Sequence, residues 1–264
     1  MSEELLLGVN EWVIAVVLLV LLLLAAEVGF RHGCKLRTKL TEAVITQVAT
    51  ISGAIIGLLA LLLAFTFAMS LSRNDLRWDL VVEESNAIGT LYLRAGLLPE
   101  PERSEIRKLL RQYVDDRLDF YWAGADENKL EQVNERTTQL QNRLWELVPS
   151  VLQKDDRTVT AALFVDSLNT VISFHSKRFE AMENRVPQGI FFLLFAVALM
   201  AALAVGYGSG IGKNRDRLPT VMLCVIVVLV IAVIMDLDRP RRGIIRVSQD
   251  SMVRLRDALS KDAS

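Results

Sequence analysis

The stretch VITQVATISGAIIGLLALLLAFTFAMSL, residues 44–71, contains no Asp, Glu, Lys or Arg side chain. A helix rises about 1.5 Å per residue, and the hydrocarbon core of a bilayer is roughly 30 Å thick. This stretch is therefore long enough and apolar enough to cross a membrane. It therefore indicates an integral membrane protein.

Three other segments share these properties, with Glu27 as the only charged residue among them. They are residues 12–30, 188–208 and 218–235. We predict an all-α, four-span integral membrane protein with a helical extramembrane bundle inserted between spans two and three. The expected boundaries are a first hairpin at 1–71, the bundle at 72–185, a second hairpin at 186–235, and a juxtamembrane Arg-rich motif with an amphipathic helix at 236–264.

The middle segment shows helical periodicity and no strand alternation. Since no proline precedes Pro99, the helix of the second span is predicted to continue well beyond residue 72. A new helix is expected near Pro101, because proline is favoured in the first turn. Further helices are predicted at about 129–148, 157–185 and 244–260, with a turn at GADEN (124–128).

Composition argues against several function classes. The net charge of −1 gives no basic excess for a nucleic-acid partner. Cys34 and Cys224 are expected to be free thiols, and the chain has no Cys/His spacing typical of zinc. Asp166 and His175 lie nine residues apart on one predicted helix, so they do not converge as a catalytic triad. We expect no enzyme activity, cofactor or metal.

Small and polar residues follow one face of the second span. This candidate pore-lining or packing set is Thr46, Thr50, Gly53, Gly57, Ala60, Ala64 and Phe67. Small residues let helices approach closely in lipid, which predicts packing against a neighbour with interhelical hydrogen bonds from the hydroxyls. The alternative is the wall of a water-filled path. The third span has a similar stripe, made of Ala198, Ala202, Gly206 and Gly210.

Charged residues near the spans form a second candidate set. Glu27 is an intramembrane acid, a functional hypothesis by default, or else an interfacial residue. One of Glu83 and Glu84 is expected to pair with an arginine such as Arg77 or Arg242, and the alternative is acid–base chemistry or cation binding by the two carboxylates. The candidate ion-pair or anion-attracting residues are Arg73, Glu83, Glu84, Asp236, Asp238, Arg239, Arg241 and Arg242. Lipid phosphate binding, an anion-collecting vestibule and a structural ion-pair belt remain open for them.

Lys and Arg are more frequent in short cytoplasmic loops. The short loops 31–43 and 209–217 hold seven of these residues, against four near the membrane after the fourth span. The loops are therefore predicted to be cytoplasmic, with the middle segment and carboxyl terminus on the opposite side. The count reverses when the residues that flank the middle segment are included.

Several stretches resemble the bacterial bestrophin-like membrane family. They are GLLALLLAFTFAMSLSR (57–73), VVEESNAIGTLYLR (81–94), DLDRPRRGIIRVSQ (236–249) and EVGFRHG (27–33). The family is named for a distant likeness to bestrophins, which are pentameric anion channels whose second span lines the pore. The resemblance therefore implies that residues 44–71 line a path in an oligomer. It also implies a cytoplasmic middle domain, in disagreement with the charge count.

The bestrophin neck is built from bulky apolar residues, whereas the stripe here is Gly and Ala. Leu63, Phe67 and Met69 are the candidates for a constriction on another face. We expect a homo-oligomer in the bacterial inner membrane that conducts an ion, an anion by the family likeness. The alternative is a non-conducting sensor or scaffold whose extramembrane bundle binds a partner.

Overall fold

The computed structural model describes residues 10–37, 41–154, 158–212, 217–241 and 243–262. Within these ranges all regular structure is helical, as predicted. The helices are α1 (Glu11–Leu36), α2 (Glu42–Ala95), α3 (Glu102–Trp122), α4 (Glu127–Glu146), α5 (Val148–Lys154), α6 (Thr158–Glu183), α7 (Gln188–Ile211), α8 (Arg217–Leu237) and α9 (Asp250–Lys261).

Four candidate spans are long and apolar enough to cross a membrane. They lie in α1, α2, the segment Val159–Ile211 and α8. The four-span prediction is confirmed, and so is the continuity of the second span, because α2 runs unbroken to Ala95. Its end, just before Pro99, agrees with the helix-breaking effect of proline.

The chain divides into two compact units. The membrane unit consists of Met1–Ser72 and Arg185–Arg239, and the extramembrane unit consists of Arg73–Asn184 and Pro240–Ser264. The change from one unit to the other at Ser72 takes place inside α2.

Glycines determine the packing of the membrane unit. A side-chain carbon at Gly206 of α7 would collide with the backbone of Ala26 in α1, and one at Gly29 would collide with the backbone of Leu203. Gly33 and Gly210 are in the same situation one turn further along the two helices. The small stripe of the third span therefore packs on α1, where the absence of side chains lets the two backbones touch.

The core of the extramembrane unit is built from the predicted apolar stripe of α3. Ile106, Leu110 and Tyr113 are fully buried there, and they belong to one cluster with Phe164 of α6 and Met252 of α9. Because each of these helices has only one apolar face, burying those faces together gives the unit its core.

Two sequence predictions differ from the structure in detail. The last helix begins at Asp250 and not near residue 244, because residues 244–249 are not helical. Pro149 lies in the first turn of α5, where its missing amide is tolerated, instead of ending the preceding helix. Cys34 and Cys224 are both free thiols, as predicted.

Candidate functional site

One side of α2 has no partner among the described residues of the membrane unit. We call it the open face, and it consists of Thr46, Thr50, Gly53, Gly57, Ala60, Ala64 and Ala68, all of them exposed. A side chain added at Gly53 or Gly57 would meet no atom within 4 Å. The stripe thus packs on no described helix of the membrane unit, and both its packing against a neighbour and its role as the wall of a water-filled path stay predictions. The third span carries a similar stripe, and that one is buried.

A different side of α2 packs inside the membrane unit. Leu59, Leu63, Thr66 and Ser70 are buried there. Ser52 Oγ donates to the carbonyl oxygen of Ala204 across 3.4 Å. The membrane-spanning part of α2 thus has one covered side and one open side.

The hydroxyl groups of the open face are satisfied within the helix. Thr46 Oγ1 donates to the carbonyl oxygen of Glu42 at 3.1 Å, and Thr50 Oγ1 donates to that of Thr46 at 3.0 Å. The buried Thr66 bonds Leu62 in the same way at 2.8 Å. Interhelical bonds from these threonines were expected, but a bond to the preceding turn serves each hydroxyl without a second helix.

The predicted constriction of Leu63, Phe67 and Met69 is not assembled on one face. Leu63 is buried and Met69 is half-buried in the core of the membrane unit, whereas Phe67 is exposed. Phe67 is therefore the only one of the three that is available to a path along α2.

Further along α2, in the extramembrane unit, the exposed charged side chains are acidic. Asp75, Asp79 and Glu83 are all exposed. Arg73 is half-buried, and Arg77 is buried with its Nε and Nη2 atoms donating to the carbonyl oxygens of Ala181 and Asn184. These carbonyls lie at the end of α6, where helix oxygens lack partners of their own.

Glu84 is the centre of a buried polar cluster. It contacts two arginines: Arg117 Nε lies 3.0 Å from Glu84 Oε1, and Arg178 Nη1 donates to Glu84 Oε2. The Tyr113 hydroxyl lies 3.4 Å from Glu84 Oε1. Glu84 thus pairs with arginines, as expected, but helices α3 and α6 supply them instead of the suggested Arg77. Arg242, the other suggested partner, lies outside the described residues. Glu83, its neighbour, points to solvent.

Amide side chains complete this cluster. Gln141 Nε2 donates to the Tyr113 hydroxyl at 3.2 Å, and Arg178 Nη2 donates to Gln249 Oε1 at 3.2 Å. All the groups around Glu84 belong to the extramembrane unit. Since buried polar groups are costly unless bonded, this network fixes how its helices meet.

The electrostatics of the cluster follow from its charges. Burial alone would raise the pKa of Glu84, but the charges of Arg117 and Arg178 outweigh burial and hold that pKa below its usual value. Burial raises the pKa of the Tyr113 hydroxyl, and the charge of Glu84 adds to this effect. Burial and the Arg117 charge lower the pKa of His175 to about 4. Two cations thus face one carboxylate, and the nearby histidine is neutral at pH 7.

The acidic residues at the end of α8 make contacts within the membrane unit. Asp238 Oδ1 accepts from the backbone amide of Val186 at 2.8 Å, which fixes the entry to α7. Asp236 and Arg239 are buried beside Glu11 at the start of α1. Asp236, Asp238 and Arg239 thus have structural contacts within the membrane unit, and the ion-pair belt stays a prediction. Arg242 lies outside the described residues.

Glu27 forms ion pairs within the membrane unit. Its Oε1 lies 2.8 Å from Arg31 Nε, and its Oε2 lies 3.6 Å from Arg217 Nη2 at the start of α8. The carboxylate thus bridges two helices at the end that carries the short basic loops. The interfacial interpretation fits this geometry better than a deep functional acid.

The residues that sequence reasoning missed are Arg117, Arg178 and their amide partners. A signal was present, because Arg117 follows Tyr113 and Val114 at helical spacing on the apolar stripe of α3. A charge in such a stripe needs a buried partner. Among the described residues, no group of three His, Cys, Asp or Glu side chains is placed to hold a metal ion.

These features define a four-span, all-α membrane protein with a helical unit between its second and third spans. The chain belongs to the bestrophin-like family, since the model of the bestrophin-like domain matches residues 14–252. The family resemblance seen in the sequence is thereby confirmed. A comparison with curated protein sequences gives no match.

Solved structures share the fold over nearly the whole chain. A point variant of a bestrophin homologue from Klebsiella pneumoniae is 16% identical with a TM-score of 0.65, and the match covers 94% of this chain and 98% of that one. A zinc-phased structure of a bestrophin homologue from Klebsiella pneumoniae is 15% identical with a TM-score of 0.62, over 93% and 97% of the two chains. At these identities the likeness shows the fold alone.

Proposed function

We propose that copies of this chain assemble into an ion channel of the bacterial inner membrane, with the open face of α2 along the conducting path. The observation that carries the proposal is that no described residue of the membrane unit covers this face. Small residues there leave room for a path or for close contact between copies. The bestrophin resemblance implies the same role for the second span.

The charges along α2 favour cations over the anions that the family likeness implies. Asp75 follows Ala64 after three helical turns, and Asp79 follows one turn later, so both continue the direction of the open face. In a symmetric oligomer each acid would be repeated as a ring, and acidic rings attract cations. Arg239, expected to draw anions, is buried beside Glu11.

Reversal potentials in a planar bilayer under a KCl gradient test this proposal. We expect the reversal potential of the wild type to shift toward the equilibrium potential of potassium. The double variant Asp75→Asn/Asp79→Asn should show a smaller shift. Glu131→Gln/Glu135→Gln removes two exposed acids from α4 and is the matched control. A shift toward the chloride potential that Arg242→Glu abolishes would instead support an anion channel.

The second candidate is a non-conducting scaffold. Its supporting observation is the exposure of large apolar side chains in the extramembrane unit, such as Leu93 at 70%, Leu97 at 71% and Trp122 at 68%. Exposed apolar surface of this kind marks interaction sites when it is contiguous. Absence of current from a folded, inserted oligomer would favour this function, and the open face would then serve assembly only.

A further inference from the structure

The extramembrane unit contains a small pocket whose wall carries three arginines. It is lined by Phe120 and Tyr121 from α3, Arg178 and Met182 from α6, and Arg241 and Arg246 from the segment before α9. The pocket offers about 20 Å³ of free space. A water-sized group needs at least about 10–15 Å³, so the pocket accepts one or two ligand oxygens and leaves the rest of a ligand at its mouth.

The charge of this pocket is positive. No carboxylate is among the residues that line it. Arg178 reaches Glu84 behind the pocket wall, but that single carboxylate also faces Arg117. The ionisable side chains that line the pocket, Arg178, Arg241 and Arg246, are thus all basic.

The geometry holds these guanidinium groups in place before any ligand arrives. Arg241 lies over the Phe120 ring at 5.0 Å, and Arg117 lies 5.4 Å from the same ring. Arg246 donates through Nε to the carbonyl oxygen of Gly243 at 3.3 Å, which uses one of its five donor hydrogens. A fixed, planar guanidinium is the side chain best suited to phosphate oxygens.

We propose that this pocket binds a phosphate group, carried by an anionic lipid or by a soluble phosphate compound. The chain passes from α8 to the pocket within a few residues, since Pro240 follows Leu237 by three positions. Basic residues next to a span are placed to meet lipid headgroups. Phosphate binding in this pocket does not require ion conduction, so an experiment can contradict either proposal without affecting the other.

The test uses the full chain purified in detergent. Inorganic phosphate, compared with chloride at equal ionic strength, is expected to raise the thermal midpoint of the wild type. Arg241→Gln/Arg246→Gln should weaken phosphate binding at least about tenfold, because the charge-assisted hydrogen bonds of two guanidinium groups are lost. Arg254→Gln/Arg256→Gln on α9 removes two exposed arginines and should bind like the wild type.

Native mass spectrometry with phosphatidic acid and phosphatidylcholine separates the two sources of phosphate. Adducts with phosphatidic acid that need Arg241 and Arg246, together with no response to inorganic phosphate, would identify a lipid site. A response to inorganic phosphate identifies a soluble ligand. Arg241→Lys/Arg246→Lys keeps the charge and guards against misfolding; we expect it to bind more weakly than the wild type. Equal behaviour of the wild type and the Gln double variant toward both probes would overturn the proposal.

Discussion

Glu84 is a carboxylate without solvent exposure that faces two guanidinium groups. Removing a charge from water costs several kcal/mol, and mutual attraction compensates only when the geometry and the surrounding hydrogen bonds are good. Here Arg117, Arg178 and Tyr113 all reach its oxygens. Because these groups come from α2, α3 and α6, the cluster specifies which faces of three helices meet.

Replacing Glu84 with Gln should therefore destabilise the protein by about 3–5 kcal/mol, since two buried arginines would lose their counter-charge. The thermal midpoint, followed by tryptophan fluorescence in detergent, measures the loss. Glu83→Gln changes the adjacent, exposed carboxylate and should stay within about 0.5 kcal/mol of the wild type. Equal midpoints for the two variants would show that the ion pairs contribute nothing.

His175 predicts a pH dependence of stability. Its pKa is about 4 in the folded protein, against about 6.5 in an unfolded chain. Between these two pKa values the unfolded chain binds a proton at His175 and the folded protein does not. The free energy of unfolding is therefore unaffected by His175 above about pH 6.5 and decreases as the pH falls toward 4. With partial exposure of the ring, the loss is on the order of 1–2 kcal/mol at pH 5.

Thermal midpoints between pH 7 and pH 5 test this dependence. His175→Gln should flatten the decline, whereas His32→Gln, which changes the only other histidine, should leave it unchanged. Glu84 does not change the stability in this window. Because its pKa is lowered in the folded protein, the stability that it contributes is lost only below about pH 4.5. If the thermal midpoint of His175→Gln still declines between pH 7 and pH 5, groups other than His175 cause the decline.

Two stripes of small residues show what a helical element can and cannot reveal through its sequence. The stripe of α2 repeats every three or four residues and that of α7 every four. Yet Gly206 of α7 lies against the backbone of Ala26, whereas a side chain added at Gly57 of α2 would meet no atom within 4 Å. Small residues indicate that another helix can approach closely, but they do not identify which helix does so. For the open face of α2, the described residues of the membrane unit supply no such partner.

Gly206→Leu and Gly57→Leu should behave in opposite ways. The first places a side chain against the backbone of α1, and overpacking of this kind costs typically 1–3 kcal/mol or more. The second should change the midpoint of the monomer by less than about 0.5 kcal/mol but disturb assembly between copies. Light scattering coupled to size exclusion measures assembly. A Gly57→Leu oligomer identical to the wild type would contradict a role for the open face.

Much of the fold could be predicted because each signal was local. Uninterrupted apolar stretches gave the four spans, and the prolines at 99 and 101 gave the end of α2 and the start of α3. The buried cluster could not be predicted in the same way. Arg117 lies 33 residues from Glu84 and Arg178 lies 94 residues away, so only the packing of helices brings them together.

At the scale of the whole molecule, the chain combines a unit with an apolar surface and a unit that buries its apolar side chains. The membrane unit exposes apolar side chains such as Val16 and Phe65, which suits lipid. The extramembrane unit buries its apolar stripes around an ion-paired cluster. Which side of the membrane holds this second unit decides whether its phosphate pocket meets cytoplasmic or periplasmic ligands.

The orientation can be tested with the protein's own thiols. Cys34 is exposed and lies within the short basic segment 31–43, whereas Cys224 is buried at 2% exposure. Because Lys and Arg favour the cytoplasmic side, a membrane-impermeant maleimide should label inverted vesicles and leave intact spheroplasts unlabelled. Cys34→Ser should abolish labelling in both. Labelling of spheroplasts would contradict this orientation and place the extramembrane unit in the cytoplasm, as the bestrophin resemblance implies.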